Sequence, residues 1–209
     1  YKGLLHTQHA MQLIDQGQDE AALAVARHAL KEVPAFLPVV ETGVRAYLTN
    51  QQAAKAVSLV VAAWKTHPHT TLVALFSKAA TQMPKAKQLK LARKMAAQHP
   101  AEYASQILLA QAHMQAAQWP EAREQLKKAL SKGDTAQACR LMAEIELAQY
   151  SDYDARSRWL SRGAAAPGDA GWVCATCGHA TKTWEAHCHA CHSFDGLQWK
   201  QRELAYVAA

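Results

Sequence analysis

Four prolines recur along this chain at a nearly constant interval. Pro34, Pro68 and Pro100 stand 34 and 32 residues apart, and Pro167 follows after 67, close to two further intervals. A chain that repeats itself at this length builds one small unit several times, and each unit must bury its apolar face on the next. Small residues keep the same period. Ala10, Ala22 and Ala29 return 100 positions later as Ala110, Ala122 and Ala129, and Ala22 and Ala29 return 34 positions later as Ala56 and Ala63. Ala26 does not, since Leu126 takes its place. Alanine loses no side-chain entropy in a helix and lets helices approach closely. With only three Phe and few β-branched runs, the composition predicts an all-α chain.

The period is that of one helix-turn-helix unit, the length of a tetratricopeptide repeat. Two stretches resemble its second helix most clearly: Gly17 to Pro34, and Trp119-Pro120-Glu121-Ala122 through Leu130. Pro120 suits a first helical turn, where its missing N–H is harmless, and Pro38 and Pro84 also fall near expected helix starts. The unit around Pro84 to Pro100 is degenerate, with Gln88 and Met95 at the positions of small residues. Helix pairs are expected at 3–16 with 19–32, 36–48 with 52–66, 69–81 with 85–98, 101–116 with 119–131, and 135–148 with 152–164. The alternative is a non-repetitive bundle with chance alanine matches. A tetratricopeptide-like superhelix of antiparallel pairs presents a groove for extended segments or helices of partners. That favours a scaffold over an enzyme.

The second feature is chemical. Four of the five cysteines form two C-x-x-C pairs, Cys174 with Cys177 and Cys188 with Cys191, ten residues apart. Two residues between cysteines let one tight turn aim both sulfurs at one ion, and the pair of turns suits a zinc-ribbon or rubredoxin-like knuckle. Gly178 stands where the first turn favours φ > 0, whereas His192 takes that place in the second. Four thiolates select zinc or iron, and a closed set leaves no position for substrate, so the site reads as structural. His179, His187, His189 and His192 lie among the cysteines, and any of them can replace a sulfur. Trp172, Trp184, Phe194, Leu197 and Trp199 are expected to cover the site. The preceding stretch from Gly163 through Pro167 to Gly171 has a linker composition. The chain therefore divides into a helical repeat domain at 1–166, a metal segment at 167–200 and a tail at 201–209.

The net charge is +6, with basic residues spread along the chain. Lys87, Lys90 and Lys94 share one face of an expected helix, either a solvated face or a patch for anionic lipid or an acidic partner. Too few aromatics interleave for a nucleic-acid surface. No apolar run reaches the length of a membrane span. The start without Met suggests a fragment, which leaves room for a membrane anchor ahead of Tyr1. His67-Pro68-His69 marks a helix boundary or a metal or haem ligand pair. Cys139 is expected to pack as a small apolar residue. No nucleophile–base arrangement or phosphate loop is apparent.

Several segments together resemble the HemY family, the tetratricopeptide proteins associated with bacterial haem biosynthesis: Lys2-Gly3-Leu4-Leu5, Ala63-Trp64-Lys65 to Pro68-His69, Trp119 to Arg123, Cys139 to Glu144, Trp172-Val173, and Phe194-Asp195 to Trp199-Lys200. The resemblance implies a non-enzymatic scaffold, the soluble part of a protein anchored in the bacterial inner membrane on its cytoplasmic side. It implies haem-pathway enzymes as partners and leaves haem or porphyrin binding open. The four cysteines depart from that family's usual frame. They are similar to the metal domain of LapB, an adaptor that regulates envelope lipid (lipopolysaccharide) synthesis, which gives the second reading. A redox metalloprotein is the third.

Overall fold

A computed structural model describes residues 2–202. Ten α-helices come first: α1 (Lys2–Asp15), α2 (Asp19–Glu32), α3 (Leu37–Thr49), α4 (Ala53–Trp64), α5 (Thr70–Ala79), α6 (Lys85–Ala96), α7 (Tyr103–Gln115), α8 (Trp119–Leu130), α9 (Ala136–Tyr150) and α10 (Tyr153–Ala165). Three strands follow, β1 (Gly168–Cys174), β2 (Ala180–Thr181) and β3 (Leu197–Arg202). Helix ends depart from the sequence expectation by no more than two residues. Pro34, Pro68, Pro100 and Pro167 all lie outside helices. Pro38 and Pro120 sit in first turns, and Pro84 caps α6.

The repeat is also written in the backbone. Gly17, Gln51, Ala117 and Ser151 have φ of 71°, 58°, 55° and 52°, and each stands between the two helices of a pair. A left-handed residue there stops the first helix and turns the chain back. The next N–H then caps a helical carbonyl: Gln18 to Leu13 at 2.9 Å, Gln52 to Tyr47 at 2.8 Å, Gln118 to His113 at 2.9 Å. The α5–α6 turn departs from this scheme, and Gln88 shows why a large residue stands there. Its buried amide Nε2 donates to the carbonyls of Ala80 at 2.9 Å and Met83 at 2.7 Å, closing the end of α5.

By compactness the chain divides into two units, residues 1–105 and 106–209. In the first, α1 packs on α2 and α3, and α3 on α4 and α5. Ala10, Ala22, Ala29 and Ala56 are fully buried at these crossings. A Cβ on Gly43 would lie 2.8 Å from Leu30 and 2.9 Å from Leu59, so α3 approaches α2 and α4 closely there. Ala63 is not buried as its period suggested. Trp64 beside it is, and its indole N–H donates to the carbonyl of Met95 at 2.9 Å, tying α4 to α6.

In the second unit Ala110, Ala122 and Ala129 are buried in the same way, with Leu126 filling the wider space. Thr135 and Asp152 cap α9 and α10 by accepting from Ala138 and Ala155 N–H groups at 3.1 and 2.7 Å. A Cβ on Gly163 would meet Cys139 at 2.9 Å, so this glycine is a crossing point of α9 and α10 and not part of a linker. The expected linker is absent: α10 runs to Ala165, and β1 starts at Gly168 and packs on α9. Of the expected tail, residues 201 and 202 belong to β3, and 203–209 lie outside the described residues.

Candidate metal centre

The strands form one antiparallel sheet in the order β2-β1-β3. Trp172 pairs with Thr181 on one side and Trp199 on the other, and Cys174 pairs with Leu197. Trp172, Trp184, Ala186 and Leu197 are buried and form a small apolar core. Trp172 and Trp199 meet edge to face at 5.3 Å, and His187 lies on Phe194 at 5.1 Å. The expected aromatic cover is thus in place, with Phe194 and Trp199 half-buried at its margin.

Each C-x-x-C pair folds into the same turn. In the first, Gly178 N–H donates to Cys174 carbonyl at 2.9 Å, and Cys174 N–H to His179 carbonyl at 2.8 Å. In the second, His192 N–H donates to Cys188 carbonyl at 2.8 Å, and Cys188 N–H to Ser193 carbonyl at 2.9 Å. Gly178 has φ +74° and His192 +59°, so the histidine takes the left-handed conformation that glycine takes in the first turn. The second turn is built to the same plan despite the missing glycine, at the cost of local strain.

These turns bring the four sulfurs of Cys174, Cys177, Cys188 and Cys191 within 4.8 Å of one another. The distances Cys174–Cys191 and Cys177–Cys188 are each 3.7 Å. A disulfide requires about 2.05 Å. A tetrahedral ion with metal–sulfur bonds near 2.3 Å separates its sulfurs by about 3.8 Å. The residues present therefore fit a four-thiolate zinc or iron site. Among the described residues no imidazole nitrogen joins the group. His187 is turned to Phe194, and His189 Nδ1 lies 3.8 Å from Glu185 carboxylate.

The charge state points the same way. The Ser193 hydroxyl, with backbone N–H groups, lowers the Cys174 thiol to about 5, and it lowers Cys191 as well. Cys177 has a helpful backbone bond at His179, yet its neighbour sulfurs and burial push it up to about 12. Four adjacent thiols thus do not ionise together unaided, and a bound cation makes all four thiolates stable at once. Ser193 was not apparent from sequence. Its Oγ lies 3.4 Å from Cys174 Sγ and 3.2 Å from Cys191 Sγ. A Cβ on Gly196 would sit 2.6 Å from that hydroxyl, so Gly196 leaves it room.

No protein-family model matches the chain. In sequence it is 29% identical over 197 residues to the protein named Probable magnetosome protein Mms48 of Magnetospirillum gryphiswaldense. That alignment takes in 92% of this chain and 43% of Mms48, so the chain spans less than half of that relative. In structure it resembles a variant of the nearly identical TPR-like repeats of a putative kinesin light chain from Podosopora anserina, with TM-score 0.50 and 21% identity over 77% of this chain and 92% of that one. MamA from Desulfovibrio magneticus RS-1 gives 0.48 at 15% identity over 78% and 93%, too slight to carry an argument. The helical array is tetratricopeptide-like.

Within that tetratricopeptide-like array the remaining sequence candidates have structural roles. His69 caps α5, its Nδ1 accepting from Thr71 N–H at 3.1 Å, and burial lowers its pKa. Cys139 is fully buried against Gly163. Among the described residues no helix is long and apolar enough to cross a membrane.

Proposed function

We propose that this chain is a non-enzymatic protein-interaction scaffold whose C-terminal ribbon is folded around structural zinc. The tetratricopeptide-like helix pairs carry this reading, because such pairs expose one helix of each unit to segments of partner proteins. The four-cysteine cluster supports zinc: the set is closed, symmetric in its turns, and leaves no position for substrate. Iron fits the same sulfurs, and a colourless zinc-loaded preparation excludes it, whereas a red one replaces zinc by iron and revives electron transfer.

The proposed setting is the cytoplasmic side of a bacterial inner membrane, with the chain held by an anchor and serving haem biosynthesis. The short segments between Lys2 and Lys200 that resemble the HemY family support it. The likeness to Mms48 supports a magnetosome setting instead, and the metal segment supports the envelope-lipid adaptor. Affinity purification of the intact protein from its own membranes distinguishes them. Recovery of haem-pathway enzymes, or a porphyrin absorption band on the purified protein, supports the first. Consistent recovery of lipid-synthesis enzymes or of magnetosome proteins in their place discards it.

A further inference from the structure

The positive charge of this chain is not spread evenly. Between Glu41 and Glu102 there is no Asp or Glu, while nine Lys and Arg fall in that stretch. The rest of the chain holds the other 14 basic residues of 23 against all 17 acidic ones, so its own balance is −3. The acid-free stretch includes the whole of α4, α5 and α6. Its densest part is α6, where Lys85, Lys87, Lys90, Arg93 and Lys94 are all exposed. The opposite side of α6, with Leu89, Ala92 and Met95, is buried. Among the described residues no carboxylate holds Lys87, Lys90, Arg93 or Lys94.

A helix face that merely meets water mixes its signs, because like charges three or four residues apart repel. The second helices of the first and fourth pairs do mix them, and α4, free of acids too, carries only Lys55. On α8, Lys127 pairs with Glu124 at 2.7 Å, and on α2 acidic residues occupy the first turn. On α6 cations occupy the first turn as well as the last, the first against the helix dipole. Lys65, the exposed residue that caps α4, lies beside the end of α6, its backbone carbonyl 3.1 Å from His99 Nε2.

We infer that this face of α6, with Lys65 beside its end, rests on an anionic lipid bilayer. Four of the five α6 cations are lysines, point charges suited to a fluid field of headgroups, not the forked arginines that read fixed phosphates. Trp64 and Phe76 of the stretch are buried and Tyr47 packs on the core of Ala10, Leu23, Ala26 and Ala46, so α6 offers no Phe, Tyr or Trp ring for base stacking as single-stranded nucleic acid requires. The inference is independent of the metal and of the partner proteins.

Flotation of the 209-residue chain with vesicles tests it. Binding is expected to vesicles rich in phosphatidylglycerol and not to phosphatidylcholine alone, and to fall as salt is raised. The triple variant K87E/K90E/K94E is expected to partition about a hundredfold more weakly or worse. The variant K127E/K128E/K132E, with the same change in net charge, is expected to bind as wild type. Circular dichroism checks that both keep their helices. Absence of binding to the anionic vesicles, or equal loss in both variants, overturns the inference. So does displacement from vesicles by a nucleic-acid duplex at matched phosphate, which assigns the face to that polymer.

Discussion

Replacing Glu146 by alanine removes the acceptor that holds three helices of the second unit. Its Oε1 takes an ion-paired hydrogen bond from Arg123 of α8 at 2.8 Å and a longer one from Trp159 of α10 at 3.3 Å. The Glu146 side chain is 9% exposed and that of Arg123 22%. A hydrogen bond to a charged group contributes about 1.5–3 kcal/mol, and a long neutral donor near 0.5 kcal/mol. Arg123 keeps some relief after the loss, since it is partly hydrated and lies 5.4 Å from the Tyr150 ring. The expected cost is therefore about 2–3 kcal/mol, below that of breaking a fully buried pair. Urea unfolding followed by circular dichroism measures it, with Arg123→Met and the double variant closing a cycle. The coupling is expected at about 1.5–2.5 kcal/mol. Acid provides a second check. The Arg123 bond holds the Glu146 carboxyl below its ordinary value. A depressed folded-state pKa contributes stability that is full above the unfolded value of about 4.3 and lost as pH falls through the folded one. The gap between wild type and Glu146→Ala should then be flat from neutral pH to about 5 and shrink below about 4. A coupling under about 0.5 kcal/mol, the level of exposed pairs, refutes the role assigned to this carboxylate.

Three further outcomes are expected. Cys188→Ser should abolish tight binding of a single zinc ion and the cobalt charge-transfer band while leaving most helical signal intact; full zinc retention would show that the four sulfurs are not the ligands. Gln51→Gly and Ala117→Gly relieve left-handed strain of about 1–2 kcal/mol and add unfolded-chain entropy of about 0.4–1 kcal/mol, so each should raise stability slightly; a loss in both variants contradicts the strain. Gly163→Val should lower stability by about 1–3 kcal/mol through overpacking on Cys139, and Cys139→Ala should restore part of it, which a thermal melt of the three proteins reads directly.

The helical repeat was legible because close helix crossings demand small side chains and helix ends demand breakers, and both demands fall on residue types that stand out in a sequence. Pro34, Pro68 and Pro100 mark the ends, while Ala22, Ala29 and Ala122 mark the crossings. The helices of the third unit were legible too, but its turn was not, because Gln88 closes it by a side-chain amide, a solution that leaves no periodic trace. The residues from 163 to 171 misled for a different reason. Glycine and alanine there serve a tight α9–α10 contact and an irregular first strand, and their small size has the same composition as a linker. The four cysteines were legible by spacing alone. Ser193 was not, since only the fold carries its hydroxyl to the two sulfurs.

The ribbon's place in the fold constrains what a metal does there. Among the described residues its buried apolar set, apart from Cys174 and Cys188, is Trp172, Trp184, Ala186 and Leu197, and its strands have 7, 2 and 6 residues. A sheet of that size has little apolar surface to fold on, so an ion held by the four sulfurs would supply folding free energy that the apolar set lacks. Yet β1 packs on α9, the first helix of the last pair, and α10 buries little beyond Ala155 and Gly163. A stack of repeats needs a terminal element that covers the last apolar face while presenting a polar one. Through β1 the ribbon would serve as that element for α9 while an ion holds its sulfurs together. Loss of such an ion would then act first on the α9 end of the second unit, leaving the buried alanine crossings of α1–α4 untouched.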